Sequence, residues 1–303
     1  MKENPYFSII LPTYNRAAFI GKAIDSVLTQ TFKDFELIMI DDGSTDNTKE
    51  VVSKYSDERI AYYYQENQER SVARNNGISK VKGQYICFLD SDDYYLPNHL
   101  GVLYENIVSR NSPIALFHTY QIYCVGGKEE IVEYFDNYKN DRLSETNCRL
   151  INNVWLFSPA VQTIAIHKEI AKKISFDLNT IPFECYEFIG RVGAEYNIIK
   201  INKRTVVMQI HDNNSTGYNL KLLEGSLNAF QYILSNSIYN NIKSHASVKN
   251  RFYTIYTGLA DCYSRAGEKM KAMKFLLLSL RFKTDLKNIR LLGGIIKNII
   301  FQT

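Results

Sequence analysis

The sequence predicts an α/β fold, in which a mostly parallel sheet is flanked by helices and followed by a helical C-terminal appendage. Short apolar strands alternate with helices four times in the first 110 residues or so, and polar loops follow the strands. From about residue 220 the pattern is helical. Alternating strands and helices are typical of a parallel sheet with helices on both faces. Such sheets bind ligands at the carboxyl edge of their strands.

The spacing of apolar residues predicts the individual elements. One helical face is formed by Ile20, Ala23, Ile24, Val27 and Leu28. Pro97 suits the first turn of a later helix. The other predicted elements are a short helix through Val51 and Val52, a helix at 70–81, and strands at 7–11, 35–40, 59–64, 84–89, 114–124, 161–166 and 200–210.

The loops after the strands exclude two common kinds of nucleotide site. They contain neither G-x-G-x-x-G nor G-x-x-x-x-G-K-[ST]. The sequence therefore does not predict a dinucleotide-binding site of the usual kind or a P-loop.

Positive charge is concentrated near the C-terminus. The whole chain has a net charge of only +4, which does not indicate a nucleic-acid partner. Residues 251–303 carry ten Lys or Arg and three acidic side chains. This basic region, with its apolar end at 284–303, favours peripheral contact with an anionic membrane surface. Packing of the apolar end on the protein body is the alternative.

Cysteine spacing and hydropathy predict the compartment. The five cysteines include no pair at a metal-ligand or redox spacing, which is typical of reduced thiols. The first residues show no secretory signal, and no apolar run reaches the ~20 residues of a membrane span. We expect a cytoplasmic location, at the inner face of the membrane if the basic region binds lipid.

A cluster of carboxylates predicts a metal site. Asp90, Ser91 and Asp92 follow the apolar run 86–89. Crowded carboxylates repel each other unless a cation lies between them. Mg²⁺ and Mn²⁺ bind one or two carboxylates together with substrate phosphates. An acidic loop that caps the next helix is the alternative.

Four other residues have the chemistry to bind a nucleotide. Asp42 ends another strand and can accept a hydrogen bond from a base or ribose, although turn and capping chemistry would also place it there. Arg70 and Arg74 share one helical face, where they can pair with phosphate or with the acidic loops, or simply meet solvent. Tyr14 can stack on a base or pack within the protein.

Four segments together resemble the family 2 inverting glycosyltransferases with the GT-A fold. They are Ser-Ile-Ile-Leu-Pro-Thr-Tyr-Asn-Arg at 8–16, the stretch 26–46 that ends Ile-Asp-Asp-Gly-Ser-Thr-Asp, Ala-Arg-Asn-Asn-Gly at 73–77 and Gly-Gln-Tyr-Ile-Cys-Phe-Leu-Asp-Ser-Asp-Asp at 83–93. The resemblance is strong over about residues 6–110 and ends near 215. It implies a glycosyltransferase domain at 1–218, with a nucleotide-binding half at 1–110 and an acceptor half at 111–218, and a helical region at 219–303.

The resemblance also implies residue roles. Pro12, Tyr14 and Asp42 would line the base pocket, and Arg70, with Arg74, would lie near the base or diphosphate. Asp90 and Ser91 would face the donor. Asp92 would bind Mn²⁺ or Mg²⁺, and Asp90 and His211 are further candidates for that ion. An ordinary surface or core role is the alternative for His211.

The catalytic base is expected in the segment 182–188. Relatives usually carry Glu-Asp there, but this chain has Glu184-Cys185. A thiol is a poor base because its reference pKa of about 8.5 leaves it mostly protonated at neutral pH. Glu184 is therefore the candidate, with Glu187 one helical turn further on. A helix N-terminal charge is the alternative role for Glu184.

The function implied is transfer of a sugar, with inversion, from a nucleoside-diphosphate donor such as a UDP-sugar. The acceptor would be a hydroxyl of a saccharide or lipid-linked molecule in cell-surface polysaccharide synthesis. A non-catalytic nucleotide-sugar-binding or scaffold protein of the same fold is the alternative, with Cys185 marking loss of the base. A sugar-nucleotide pyrophosphorylase is disfavoured because residues 12–16 are not a Gly-rich loop.

Overall fold

The computed structural model describes residues 4–125, 128–130, 160–211, 219–242 and 246–283. The apolar end at 284–303 lies outside the described residues. The four strand–helix alternations predicted for the first half are confirmed. The elements are β1 Phe7–Thr13, α1 Ile20–Leu28, β2 Phe35–Asp42, α2 Thr48–Val52, β3 Ile60–Gln65, α3 Arg70–Ile78, β4 Tyr85–Phe88, β5 Tyr94–Tyr95 and α4 His99–Val108.

Apolar periodicity places these elements as predicted. In α1 the buried residues are Ile20, Ala23, Ile24 and Val27. Every residue of β1 and β2 is buried, as expected for strands covered on both faces. Helix α3 lies so close to β1 that a Cβ at Gly77 would come within 2.5 Å of the Ile10 side chain.

The second half is less regular. Its elements are β6 Ala115–Val125, β7 Lys128–Glu130, β8 Ile164–His167, α5 Lys168–Ala171, α6 Glu184–Glu195 and β9 Asn197–Ile210. Short 3₁₀ helices cover Val161–Thr163 and Leu178–Thr180. The predicted strand at 161–166 therefore begins as a 3₁₀ turn and continues in β8.

The strands form one sheet in the order β3-β2-β1-β4-β8-β6-β9-β5, with β7 beside β6. The pairs β3-β2, β2-β1, β1-β4 and β6-β9 are parallel. The pairs β4-β8, β8-β6, β9-β5 and β6-β7 are antiparallel. The sheet is thus parallel in its first half and mixed in its second. Because β1, β2 and β4 run the same way, the loops that follow them meet at one edge.

The chain divides into two compact units. The first comprises Met1–Leu178 with Cys185–His211, and the second comprises Asn179–Glu184 with Asp212–Thr303. The sheet belongs entirely to the first unit. In the second unit the main helices are α7 Leu220–Ser235, α8 Ala246–Arg265 and α9 Lys269–Leu280.

The helical unit contains a helical hairpin around Gly267. That glycine has a φ of 79°, a left-handed conformation that suits the tight turn between α8 and α9. Aromatic rings hold the two helices together. Tyr263 stacks on Phe275 at 5.5 Å, and Phe252 stacks on Phe282 at 5.3 Å. Within the described ranges, no helix combines the length and hydropathy that crossing a membrane requires.

Candidate functional site

The loop after β1 is fixed to the loop after β2. The Asn15 backbone N–H donates to Ser44 Oγ at 2.9 Å, and Asn15 Oδ1 accepts from the Thr45 N–H at 2.8 Å. Asn15 has a φ of 51°, a left-handed conformation that asparagine tolerates well. Tyr14 beside it is exposed, whereas Pro12 is buried at the end of β1. The ring of Tyr14 is therefore open to a stacking partner.

Asp41 and Asp42 are buried at the end of β2 and organise the surrounding loops. Asp41 accepts hydrogen bonds from the Ser44 N–H at 2.8 Å and the Tyr62 hydroxyl at 2.5 Å. Burial and the neighbouring Asp41 raise the pKa of Tyr62, so this hydroxyl stays a donor.

The Asp42 carboxylate shapes the entry to α3. It accepts from Gln65 Nε2 at 2.6 Å, from the Gln68 N–H at 2.9 Å and from the Glu69 N–H at 2.8 Å. A carboxylate has about four acceptor positions, so three are used within the protein. Asp42 thus keeps limited capacity for a ligand and also fixes the loop beside Arg70.

The two arginines of α3 differ in their surroundings. Arg74 is only 2% exposed, and its Nη2 lies 2.7 Å from Asp90 Oδ1. Its other terminal nitrogen lies 3.7 Å from Cys185 Sγ. Arg70 is more accessible and lies 4.0 Å from Glu69 Oε1. Arg74 therefore orients the first aspartate of the acidic loop, while Arg70 lies at a more exposed position of the same helix.

The acidic loop lies between β4 and β5. Asp92 Oδ2 is 3.2 Å from His211 Nε2 and 3.7 Å from Arg16 Nε. Burial and the neighbouring Asp90 raise the pKa of Asp92, against the lowering effect of Arg16 and His211. The ring of His211 stacks on Phe19 at 4.5 Å, which holds the imidazole beside Asp92. The structure therefore brings the predicted residues Asp92 and His211 together.

Asp93 fixes the acidic loop to two other segments of the chain. It is buried, and it accepts from Gln162 Nε2 at 2.7 Å and from the Gln209 N–H at 2.9 Å. Burial, together with Asp90 and Asp92, raises its pKa well above the ordinary range. The side-chain amide of Gln209 also donates to the Asp92 carbonyl. Two distant segments, 160–163 and the end of β9, thus hold the loop in place.

The acidic loop carries side chains of the type that bind hard divalent cations. Asp90 and Asp92 have carboxylate oxygens, and the imidazole of His211 lies beside Asp92. The raised pKa of Asp92 reflects burial first and the neighbouring Asp90 second, and a bound cation would favour the charged carboxylate. In the described ranges no three His, Cys, Asp or Glu side chains are grouped to hold a metal by themselves. These residues fit an ion that also needs phosphate oxygens from the donor.

The segment predicted to hold the base forms the start of α6. Glu184 is the first residue of this helix and is 2% exposed. Glu187 is also buried, and its two carboxylate oxygens accept from Arg191 at 2.5 and 2.6 Å. Burial raises the pKa of Glu187, and Arg191 opposes this shift. Both oxygens of Glu187 are thus occupied by Arg191, whereas Glu184 stands at the start of the helix, as the sequence predicted.

Several residues at the site had no role in the sequence interpretation. They are Arg16, Phe19, Asp93, Gln162 and Gln209. Arg16 and Asp93 belong to the motifs at 8–16 and 83–93, so the sequence contained a signal that could have identified them as site residues. Gln162 and Gln209 belong to segments without a motif, and only the fold brings them to the acidic loop.

Comparison with known proteins gives the family. The model named Glycosyl transferase family 2 matches residues 8–173, more than half of the chain. The chain belongs to glycosyl transferase family 2. This membership confirms the predicted resemblance and the predicted glycosyltransferase class. The matched segment contains both aspartate motifs and both arginines of α3.

Curated relatives match part of this family 2 chain. Glycosyltransferase GlyA of Streptococcus pneumoniae serotype 4 is 39% identical over 115 residues, which is 37% of this chain and 16% of that protein. Uncharacterized glycosyltransferase alr2836 of Nostoc is 28% identical over 200 residues, covering 61% of this chain and 60% of that protein. In each case the match spans less than two thirds of the relative's length.

Solved structures confirm the GT-A fold of this family 2 chain. The chain is similar to S. aureus TarS 1-349 in complex with UDP-GlcNAc, with a TM-score of 0.59 at 18% identity over 96% of this chain and 92% of the other. It is also similar to the mannosyltransferase PcManGT of Pyrobaculum calidifontis in complex with GDP-Man and Mn²⁺. That TM-score is 0.61 at 13% identity, over 99% of this chain and 82% of the other. At such identities the likeness concerns the fold alone.

Proposed function

We propose that the protein transfers a sugar, with inversion, from a UDP-sugar to a hydroxyl of a saccharide or lipid-linked acceptor. The observation that carries this proposal is the meeting of Asp90, Asp92, Arg16 and His211 at the carboxyl edge of the sheet. A diphosphate would find there the cationic Arg16 and carboxylates that suit a divalent ion. The similarity to TarS, whose structure contains UDP-GlcNAc, supports the choice of a UDP-sugar.

Donor recognition is assigned to the loops after β1 and β2 and to α3. Tyr14 is exposed and can stack on the base, beside Pro12 and Asp42. Arg70 is placed to meet the base or the diphosphate. Asp90 and Ser91 would face the donor, with Arg74 setting the orientation of Asp90. The direct contact of Arg74 with the donor stays a prediction.

Asp92, with Asp90 and His211, would hold Mn²⁺ or Mg²⁺. The bound ion would neutralise the negative charge that develops on the leaving diphosphate. The chain itself adds positive charge through Arg16, 3.7 Å from Asp92, and Phe19 keeps the His211 ring in place by stacking.

Glu184 is proposed as the general base that takes the proton from the acceptor hydroxyl. Proton removal as the new glycosidic bond forms avoids a charged oxonium product. The carboxylate of Glu187 is held by Arg191, and Cys185 contacts Arg74, so neither is as suited to this step.

The proposed acceptor in cell-surface polysaccharide synthesis suits a protein at the inner face of the membrane. Helix α9 supports such a location. Its outward row, at i, i+4, i+7 and i+11, consists of Met270, Lys274, Leu277 and Arg281, all exposed. A row of large apolar and basic side chains without an acid is typical of a helix that lies on an anionic lipid surface.

Calorimetry of UDP binding tests the donor site. Wild-type protein should bind UDP more tightly with Mn²⁺ than without it, and Asp92→Asn should remove most of this difference. Asp57→Asn is the matched control, because Asp57 pairs with Arg59 away from the acidic loop. Equal UDP affinity for wild type and Asp92→Asn, with and without Mn²⁺, would contradict the assignment.

The second candidate function is nucleotide-sugar binding without transfer. The observation that favours it is Cys185, which stands where relatives carry an aspartate and contacts Arg74 instead of offering a carboxylate. Release of UDP from a UDP-sugar in the presence of an acceptor pool distinguishes the two functions. Transfer supports the enzyme, and tight donor binding without transfer to any acceptor supports the binding protein.

A further inference from the structure

A polar cleft lies at the opposite edge of the sheet from the acidic loop. It is formed where β1, β2 and β4 begin and where the antiparallel strand β8 ends. Its volume is about 480 Å³. The lining residues are Asn4, Pro5, Tyr6, Asp34, Lys82, Gln84, His167 and Lys168. No role in the proposed transfer reaction uses this cleft.

His167 offers a hydrogen-bond donor in the wall of the cleft. Its Nδ1 accepts from the Glu169 N–H at 3.3 Å, so the proton of the neutral ring is on Nε2. The ring packs at 5.1 Å and 88° against Tyr85, which fixes its plane. In the described part of the chain, no protein atom accepts a hydrogen bond from Nε2.

Two lysines converge on the same cleft. The Lys82 and Lys168 ammonium groups form no ion pair within the described residues. Asp34 is the one acid among the lining residues, so two cations face a single carboxylate.

The potential around His167 is consistent with a basic cleft. Burial lowers the pKa of His167, as do Lys168 and the nearby Lys172, against the raising effect of Glu169. Lys172 is itself paired with Glu169 at 3.0 Å. The imidazole is therefore held neutral, and an arriving anion would raise its pKa.

We propose that this cleft binds the phosphate group of a small phosphate monoester or free phosphate. His167 Nε2 would donate to one phosphate oxygen, and Lys82 and Lys168 would pair with the others. A phosphate fills only part of 480 Å³, and the amides of Asn4 and Gln84 offer polar contacts to an attached hydroxylated body. The site is separate from the donor site and does not depend on the proposed transfer activity.

Imidazole NMR of the full-length protein tests the site. Burial lowers the pKa of His99 to about 3 and that of His118 to about 4, so neither ring titrates near neutral pH. His167→Gln assigns the His167 signal. Addition of inorganic phosphate or of glucose 6-phosphate at pH 7 should shift that signal saturably and raise the His167 pKa, whereas glucose should not.

Lysine variants and competition with UDP distinguish phosphate binding in this cleft from phosphate binding elsewhere on the protein. Lys82→Ala and Lys168→Ala should each weaken phosphate binding roughly tenfold, the loss typical of one charge-assisted hydrogen bond. Lys173→Ala, an exposed lysine outside the lining, should leave it unchanged. The shift should persist with saturating UDP and Mn²⁺ and in Asp92→Asn. A shift that UDP abolishes, that all three lysine variants share, or that never saturates would overturn the proposal.

A comparison of the two ligands identifies the source of the phosphate. Tighter binding of glucose 6-phosphate than of inorganic phosphate indicates a phosphorylated small molecule. Equal or weaker binding indicates free phosphate.

Discussion

Arg74 shows how one buried side chain can set the geometry of a neighbouring residue of the candidate site. Its guanidinium is almost wholly buried, while its partner Asp90 remains about one third exposed. Substitution by lysine keeps the charge but loses the fork of donors that reaches both Asp90 and Cys185. We expect Arg74→Lys to cost roughly 1.5–3 kcal/mol in the free energy of unfolding, the range for hydrogen bonds to charged groups.

The same variant should also weaken Mn²⁺-dependent UDP binding, because Asp90 would no longer be held in place. Urea unfolding and calorimetry measure the two effects. Arg70→Lys serves as the comparison, since Arg70 is accessible and its replacement should affect UDP affinity more than stability. A stable Arg74→Lys protein with normal UDP binding would show that the pair does not position Asp90.

Glu184 and Glu187 lie one turn apart on α6, and Glu187 is paired with Arg191. We expect Glu184→Gln to lower turnover by at least ~10²-fold with donor affinity nearly intact, since general base catalysis contributes about 10²–10⁴. Glu187→Gln should instead lower the thermal midpoint, because it leaves Arg191 without its carboxylate, and Cys185→Ala should be mild. UDP release and separate donor titrations measure these effects. Normal turnover in Glu184→Gln would mean that another group is the base.

At the scale of elements, the acidic loop depends on a buried carboxyl whose burial disfavours its charged form. The folded-state pKa of Asp93 is raised, mainly by burial, above the ordinary value of about 3.9. A raised pKa means that the contribution of Asp93 to stability is present below pH 4 and is lost as pH rises towards the folded pKa. Asp93→Asn mimics the neutral form, so it should gain stability relative to wild type as pH rises above about 4.

For Asp57 we expect the opposite pH dependence of the stability difference between variant and wild type. The hydrogen bond from Arg59 lowers the pKa of Asp57 to about 2. Asp57→Asn should therefore lose stability relative to wild type above about pH 4, and the difference should close as pH falls towards 2. Urea unfolding from pH 3 to 8 measures both variants. Parallel pH curves for Asp93→Asn and wild type would contradict the buried-carboxyl interpretation.

The elements that the sequence predicted best are those with a strong local pattern. Strands β1 to β4 and helices α1 and α3 follow from apolar runs, spacing and turn residues. Strand β5, only two residues long, has no such pattern and exists because Tyr94 and Tyr95 pair with Val207 and Val206. The antiparallel pairing of β8 likewise depends on which strands meet in space.

The residues of the candidate site also divide into those with a local sequence signal and those that only the fold brings together. Asp42, Asp90, Asp92 and Arg70 could be found because they lie in motifs at strand ends or on a helix face. The supports supplied by Gln162 and Gln209 could not, because glutamine has no distinctive spacing and both residues act from more than sixty positions away. The motif position already favoured Glu184 over Glu187, whereas the pairing of Glu187 with Arg191 is not revealed by sequence spacing.

At the scale of the whole molecule, the outward row of α9 predicts binding to anionic lipid. Met270 is 67% exposed and Leu277 is 49% exposed. We expect flotation with vesicles containing anionic lipid, reversed by salt, because basic residues contribute about 1 kcal/mol each near such a surface. Met270→Ser combined with Leu277→Ser should lower the bound fraction about tenfold, since burial of such side chains contributes about 1.5–3 kcal/mol each when complete.

The control for this prediction is Val108→Ser on α4, an exposed apolar residue outside the helical unit. It should leave vesicle binding unchanged. Deletion of 284–303 tests the contribution of the basic apolar end separately. Equal flotation of wild type and the α9 double variant would place any lipid contact elsewhere.

The sheet order has a consequence for when the site can exist during synthesis. Strand β5 follows β4 closely along the chain, yet its sheet partner is β9, which is completed only at Ile210. The contacts of Asp93 with Gln209 and of Asp92 with His211 likewise form only after the end of β9 has been made. A nascent chain that has emerged as far as residue 173, where the family match ends, carries every recognisable donor motif without the strand that holds the acidic loop. The motifs are translated early, but the site is assembled late, so a fragment cut at that point would keep the signature without the pocket.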